Sequence, residues 1–219
     1  KIASFEITDV NLIRYAASKG KPMIISTGVA TMEDIELAIN VCHEEGNHDI
    51  TLLHCVSSYP APMENINLRT MVDMGDRLGV KVGLSDHTMG ADVSIAAVAL
   101  GAEMIEKHFI LDKAIGGPDA AFSMTVNEFK ELVTSIRNVE KAIGDVVYPS
   151  DTSTIKGRQF SRSLYIAEDM KAGDILTEKN LRSVRPGYGL HPKYLNELLG
   201  KKVNRDLEKG ERMKLEYVD

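Results

Sequence analysis

The sequence predicts an α/β chain: part of a (β/α)8 TIM barrel, about its last five β/α units, followed by a small β-rich module. Three observations predict it. Short apolar strands beginning at residues 1, 23, 50, 80 and 103 alternate with amphipathic helices, a spacing typical of β/α units. Polar residues stand at the C-terminal end of every one of these strands. After Gly144 the helical periodicity stops, and short strand-like pieces alternate with tight turns. The expected division is residues 1–144 for the barrel portion, 145–161 for a linker and 162–219 for the module.

The strands are read at residues 1–4, 23–26, 50–55, 80–84 and 103–109. Each is short, apolar and bounded by turn residues, as strands of a buried parallel sheet are. Helices fill the gaps. Asp9 caps the first, with Val10, Ile13 and Ala17 at helical spacing. Thr31 caps the second, with Asp34 as its capping-box partner; Ile35, Ala38, Ile39 and Cys42 form one face, and Gly46 lies beyond the end. Residues 67–78 make the third, followed by Gly79, and 92–100 the fourth, ended by Gly101. Thr125 and Glu128 form another capping box, opening a long helix to Ile143 that stops at Gly144.

Five such units fit either an open doubly wound sheet or part of a barrel. An open sheet gathers its polar residues at one switch point. Here they recur at every strand end: Ser4 and Glu6, Ser26 and Thr27, His54 with Ser57, Ser85 to His87, and Lys107 with His108. The barrel is therefore the expected fold. Residues 145–161 hold Pro149 and several Ser and Thr, with little periodicity. In the module, DMKAGDIL (169–176) and DLEKGERM (206–213) share the pattern D-Φ-x-x-G-[DE]-x-Φ, Φ being apolar, which suggests pseudo-symmetry. A module of under about 60 residues buries little core alone and is expected to dock on something.

The chain has 219 residues, 43% hydrophobic and 26% charged, ordinary values for a soluble globular protein. A net charge of −6 without a long basic run argues against nucleic acid as a partner. An anionic small substrate stays open, because a pocket's charge is local. Cys42 and Cys55 have no metal-type spacing and read as free thiols in a reducing compartment. No signal peptide is visible, and the longest mostly apolar run, 95–100, is far short of a membrane span. These features predict a cytoplasmic protein with no membrane partner. The chain opens on KIAS, without Met and inside an expected strand, and is expected to be the later part of a longer protein.

The densest chemistry lies between residues 82 and 109. VGLSDHTM and MIEKHF end two successive strands on His87 and His108, 108 − 87 = 21 residues apart. Neighbouring strand ends of a parallel sheet lie about 4.8 Å apart, so both imidazoles can face one pocket. Two imidazoles plus open positions suit a catalytic divalent ion. A strand histidine is more often packed and hydrogen-bonded than ligating, and His54 also ends an apolar run. Ser4, Ser26, Ser57 and Ser85 place hydroxyls at the ends of four successive strands. With loop amides and Lys1 they make a cradle for phosphate or carboxylate, although any one of them alone reads as a turn former or helix cap. Tyr59 lies in the SYPAP loop and Asp119 on the GGPD turn, and each has an ordinary loop reading as well.

KIAS, ISTG, LLHC, YPAP, GLSDHT, IEKHF, GGPD and RPGYGLHP stand in this order across the whole chain. By them it resembles the sialic acid synthase family, whose members carry a (β/α)8 barrel followed by an antifreeze-like SAF domain. GGPDAAFS and RPGYGLHPK are most similar to its pseudaminic acid synthase branch. The resemblance implies a transferase acting on phosphoenolpyruvate. Carbon 3 of the enol attacks the aldehyde of an open-chain N-acylated amino sugar, water adds at carbon 2, and phosphate leaves by C–O cleavage, giving a nonulosonic acid.

By the same resemblance, His87 and His108 hold a divalent ion: manganese, with magnesium or cobalt as alternatives. Lys1, Ser4, Ser26, Ser57 and Ser85 bind phosphoenolpyruvate. Glu6, Tyr59 and Asp119 face the sugar, with Lys1, Tyr59 and Asp119 the catalytic members. Arg185 reaches the sugar from the SAF domain of a partner subunit in a domain-swapped homodimer. Ser57 departs from the pattern, standing where some members have Asn, which puts its phosphate contact in doubt. The resemblance also places three strands and further site residues, one of them acidic, ahead of Lys1, so this chain by itself is not expected to be self-sufficient for turnover. An N-acetylneuraminate or legionaminate synthase would differ only in the sugar. A non-catalytic sugar- or partner-binding module is the alternative of another class, and it would have no need of two metal-facing histidines.

Overall fold

In the computed structural model, which describes residues 1–218, the chain divides into two units, Lys1–Asp145 and Val146–Asp219. In the first, β1 (Met23–Ser26), β2 (Ile50–Cys55), β3 (Lys81–Asp86) and β4 (Met104–Lys107) pair in the order in which they occur, all parallel. Single parallel bridges extend both edges, Ile2 onto Ile25 and Met124 onto Phe109. The strand order never reverses, so there is no switch point. The sheet is the wall of a half-barrel, not an open doubly wound sheet.

Helices α1 (Val10–Ala17), α2 (Met32–Glu44), α3 (Arg69–Leu78), α4 (Asp92–Ala99) and α5 (Val126–Ile143) separate the strands. Three of their starts follow from side-chain chemistry. Asp9 accepts the Leu12 N–H, and Thr31 with Asp34 and Thr125 with Glu128 form reciprocal capping boxes. Gly79 ends α3 at φ 64°, a conformation that costs other residues more. Ile13, Ala17, Ile35, Ala38, Ile39 and Cys42 pack from α1 and α2 onto Ile25, Ile50 and Leu52 of the sheet. Met71, Val93 and Ala97 pack from α3 and α4 around Leu84. Each fully buried Ile or Leu contributes roughly 1.5–3 kcal/mol, so these faces hold the layers together more than helix propensity does. β2 is buried along its whole length, as a strand covered on both faces must be.

Several expected bounds shift. The strand expected at residues 1–4 is reduced to the Ile2 bridge, because Ala3 leads into a 3-10 turn at Ser4–Glu6. Met124, in no expected strand, adds a sixth parallel position. Its N–H reaches the His108 carbonyl at 2.8 Å and its carbonyl accepts the Ile110 N–H at 2.9 Å, just before Thr125 caps α5. β3 runs two residues beyond Leu84 to Asp86, and β4 stops at Lys107, so His108 stands just past it.

In the second unit β5 (Ser163–Ile166) and β6 (Leu181–Val184) pair antiparallel. The two copies of the repeated pattern meet at Met170 and Leu207, which exchange both backbone hydrogen bonds at 2.8 and 2.9 Å. Asp169 accepts the Lys209 N–H at 2.7 Å, and Asp206 accepts the Ala172 N–H at 2.9 Å. Gly173 and Gly210 turn at φ 94° and 90°. These positions correspond one for one, so the duplication is a pseudo-two-fold. Leu164, Met170, Leu176, Leu207 and Met213 fill its core, with Leu198 from the short α6 (Leu195–Leu198). The end of the expected linker folds into this unit: the Gln159 carbonyl accepts the Gly187 N–H at 2.9 Å. Asp219, the last residue of the expected module, lies outside the described residues. Among the described residues no helix is long and apolar enough to cross a membrane.

Candidate active site

Side chains alternate between the two faces along a strand, and the ends of β3 and β4 use that alternation three times. Ser85 stands opposite Glu106 and Asp86 opposite Lys107; His87 and His108 follow. Ser85 donates to Glu106 Oε1 at 2.8 Å, and Lys1 Nζ donates to the same oxygen at 3.0 Å. Lys107 Nζ donates to Asp86 Oδ2 at 2.8 Å, with both side chains closed off from water. The rings of His87 and His108 then meet edge to face, centroids 5.2 Å apart and planes at 68°.

His87 Nδ1 donates to the Val56 carbonyl at 3.0 Å, since a carbonyl can only accept. The lone pair of the neutral ring is therefore on Nε2. Burial pushes the His87 pKa down, but the Cys55 thiol, the Val56 carbonyl and Asp86 outweigh it, and the net shift is upward. His108 is held below its ordinary value by burial first and by His87 second; Asp119, with Oδ2 3.5 Å from Nδ1, opposes them. Lys1 and Ser85 hold the Glu106 carboxyl below its ordinary value against the effect of burial.

Two aromatic rings close round the imidazoles. Tyr59 is 4.3 Å from the His87 ring and 6.0 Å from that of His108, and Phe122 lies 4.9 Å from His108. Burial raises the Tyr59 pKa, and Cys55 raises it further. Ser123 donates to the Asp119 carbonyl at 2.7 Å and fixes the turn that presents the Asp119 carboxylate, whose side chain is half exposed.

Beside this group, Ser4 Oγ accepts the Gly28 N–H at 3.0 Å. A β-carbon on Gly28 would fall 2.3 Å from Ser57 Oγ and 2.9 Å from both Cys55 Sγ and Ser4 Oγ. Only glycine leaves room for two hydroxyls and a thiol to close on that position. Among the described residues Ser26 Oγ, which is buried, has no hydrogen-bond partner. Leaving a buried donor unpaired costs about 1–3 kcal/mol, which singles this hydroxyl out as one the fold does not use.

Of the residues expected from sequence, Lys1, Ser85, His87, His108, Tyr59 and Asp119 fall into linked contacts, and Ser4 and Ser57 meet at Gly28. Ser26 ends β1. Glu6 is exposed at the end of its turn, and Arg185 is exposed just after β6 in the second unit. Glu106, Phe122 and Gly28 escaped the sequence reading. His54 is a packed histidine: its Nε2 donates to the Ile66 carbonyl, and burial lowers its pKa. Among the described residues no group of three or more His, Cys, Asp and Glu side chains is placed to hold a metal. A separate cleft of about 190 Å³, lined by Val98, Ile105, Phe129 and Ile136 among others, contains no histidine, serine or cysteine.

The profile of the NeuB family matches residues 1–148, and that of the SAF domain matches residues 161–212. The chain is 47% identical to a pseudaminic acid synthase of Campylobacter jejuni subsp. jejuni, over 98% of this chain and 62% of that protein. It is 48% identical to a pseudaminic acid synthase of Helicobacter pylori, over 95% of this chain and 62% of that protein. Among solved structures, the spore coat polysaccharide biosynthesis protein SpsE of Bacillus subtilis matches with a TM-score of 0.63 at 33% identity, over 100% of this chain and 66% of that one. The chain thus spans 62% of the length of the two synthases.

Proposed function

The chain belongs to the NeuB family and carries a SAF domain, and on that premise we propose that it forms part of a synthase joining phosphoenolpyruvate to an N-acylated amino sugar. The product is a nonulosonic acid, and the identity to two pseudaminic acid synthases makes a 6-deoxy-2,4-diacetamido hexose the sugar of choice. One observation carries the reading. Ser85 and Glu106, with Lys1 reaching Glu106, and the adjacent imidazoles of His87 and His108 gather at the ends of β3 and β4. On this reading, donors for an anion lie beside ligands for a cation.

In the proposed reaction a C–C bond forms between enol carbon 3 and the aldehyde carbon, and the aldehyde oxygen takes up a proton to become a hydroxyl. Water adds at carbon 2, and the C–O bond to phosphate breaks, leaving a ketone. Lys1 moves from Glu106 to the donor's charged oxygens, joined by Ser85 and by the hydroxyls of Ser4, Ser26 and Ser57. Hydrogen-bond donors fixed before the charge arrives are worth more than mobile ones. Tyr59 and Asp119 orient the sugar from the opposite side.

The donor set fits a divalent ion. A ligating histidine gives its other ring N–H to an acceptor, and His87 does so to Val56. Two imidazoles leave positions for water and substrate oxygens, which suits manganese or cobalt better than magnesium, a cation that prefers oxygen donors throughout. When bound, such an ion supplies a Lewis acid for the aldehyde oxygen. Arg185 is proposed to reach the sugar in the pocket of a second copy of the chain.

The test is phosphate release by the full-length protein from phosphoenolpyruvate, with a panel of N-acylated sugars, with and without manganese. Release is expected only when both sugar and metal are present, and is expected to vanish in His87→Ala. Release that ignores the sugar, or full activity in His87→Ala, would overturn the reading. A higher kcat/KM for N-acetylmannosamine than for the diacetamido hexose would reverse the choice of sugar alone.

A further inference from the structure

Asp86 and Lys107 form a closed group with no part in the pocket. Their side chains are 0% and 1% exposed. The Asp86 carboxylate accepts the Thr88 N–H at 2.8 Å, the Thr88 hydroxyl at 2.7 Å, the Ser94 hydroxyl at 2.5 Å and Lys107 Nζ at 2.8 Å. Lys107 Nζ also donates to the Thr88 carbonyl at 2.8 Å. One carboxylate thereby ties together β3, β4, α4 and the loop that follows β3.

As a source of stability this group is unremarkable. A buried ion pair recovers its desolvation cost with little surplus, and apolar residues of similar volume serve as well or better. Apolar residues do not fix a geometry, however. Asp86 and Thr88 flank His87 on both sides, and Lys107 immediately precedes His108. All three residues hang on the same carboxylate, one step along the strands from the two rings. Any shift of β3 against β4 at this pair is a shift of one imidazole against the other.

We propose that Asp86 and Lys107 are positioning residues, a cross-strand clamp that holds His87 and His108 at the separation one divalent ion requires. The proposal rests on the reading of the two histidines as metal ligands.

The test uses the full-length protein with two variants. Asp86→Leu combined with Lys107→Met leaves no buried charge alone. Lys107→Met by itself leaves Asp86 three of its four donors. Manganese binding is followed by electron paramagnetic resonance, the imidazole nitrogens coupled to the bound ion are counted by pulsed methods, and circular dichroism reports the fold. The unaltered protein should bind manganese with two imidazole couplings, and His87→Ala should lose the site. If the unaltered protein binds none, the metal reading falls and the clamp with it. With those controls in place, the double variant is expected to keep its dichroism, to bind manganese roughly ten- to a hundredfold more weakly, and to show one imidazole coupling instead of two. Unchanged affinity with two couplings in a folded variant would overturn the clamp. So would failure of both variants to fold, because the pair would then serve the whole fold and not the spacing of the rings.

Discussion

Gly28 and Ser57 compete for one space: a β-carbon on Gly28 would lie 2.3 Å from the Ser57 hydroxyl. The same step would press on Ser4 and Cys55, each 2.9 Å from that carbon. Gly28→Ala is therefore expected to displace the serine hydroxyls and, if the proposed reaction holds, to raise the KM for phosphoenolpyruvate more than that for the sugar. Overpacking of this kind costs about 1–3 kcal/mol of stability. Adding Ser57→Ala should restore part of the thermal midpoint, since it removes the nearest obstacle. Steady-state kinetics with each substrate varied in turn would decide the matter; an unchanged phosphoenolpyruvate KM would contradict it.

The cap of α5 carries a pH dependence. The Thr125 N–H first, then Lys113 and the Thr125 hydroxyl, lower the Glu128 pKa from 4.5 to about 2. A carboxylate with a depressed folded value stabilises the fold above its unfolded value and loses that contribution as the pH falls through the folded one. The window is therefore pH 4.5 down to about 2. The Glu128 side chain is 44% exposed, so solvent screens the gain. Glu128→Gln should cost no more than about 1 kcal/mol at neutral pH, and its melting midpoint should fall less steeply across that window than that of the unaltered protein.

The two halves of the second unit should answer alike to the same change. Gly173 and Gly210 have positive φ, and nothing lies within 4 Å of the β-carbon either would carry. An alanine at either position therefore meets torsional strain alone, worth about 1–2 kcal/mol. Denaturant titrations of Gly173→Ala and Gly210→Ala are expected to give equal losses. A markedly larger loss at one position would show that the pseudo-two-fold does not extend to energetics.

Arg185 calls for a mixing experiment. Full-length Arg185→Ala and His87→Ala proteins are each expected to be nearly inactive. If Arg185 serves a second copy, mixed dimers contain one pocket with both lesions and one with neither, and activity returns after subunit exchange. If it serves its own chain, every pocket keeps one lesion. Exchange confirmed by mass without recovery of activity would refute the arrangement across subunits.

Much of the half-barrel is legible in the sequence for a physical reason. Buried strands appear as short, mostly apolar runs, and β1 and β2 keep the bounds read from them, with Ser26, Thr51 and His54 as their polar members. Asp9, Thr31 and Thr125 mark helix starts by chemistry that needs no distant partner. What escapes reading depends on residues far along the chain. Glu106 sits in MIEK like an ordinary surface charge, and joins the site only because register sets it against Ser85 and Lys1 reaches it. Met124 pairs through a single residue, too short for any periodicity to show. The repetition of serines at Ser4, Ser26, Ser57 and Ser85 is visible in sequence, yet Ser4 lies in a turn after a bridge and not on a strand. Gly28 carries no side chain to notice, and its importance is the space it leaves empty.

The order of pairing also sets how the two units can be made. Each strand of the first unit pairs with the one synthesised just before it, so every new β/α unit emerging from the ribosome finds its template edge already built. Domains generally fold from the N-terminal side during translation, and this unit can grow by accretion. The second unit obeys a different timetable. Met170 waits for Leu207, 207 − 170 = 37 residues later, and only then can the two copies of its pattern close on each other. One polypeptide thus joins a part that assembles piece by piece to a part whose two halves lock together only once nearly all of it has been translated.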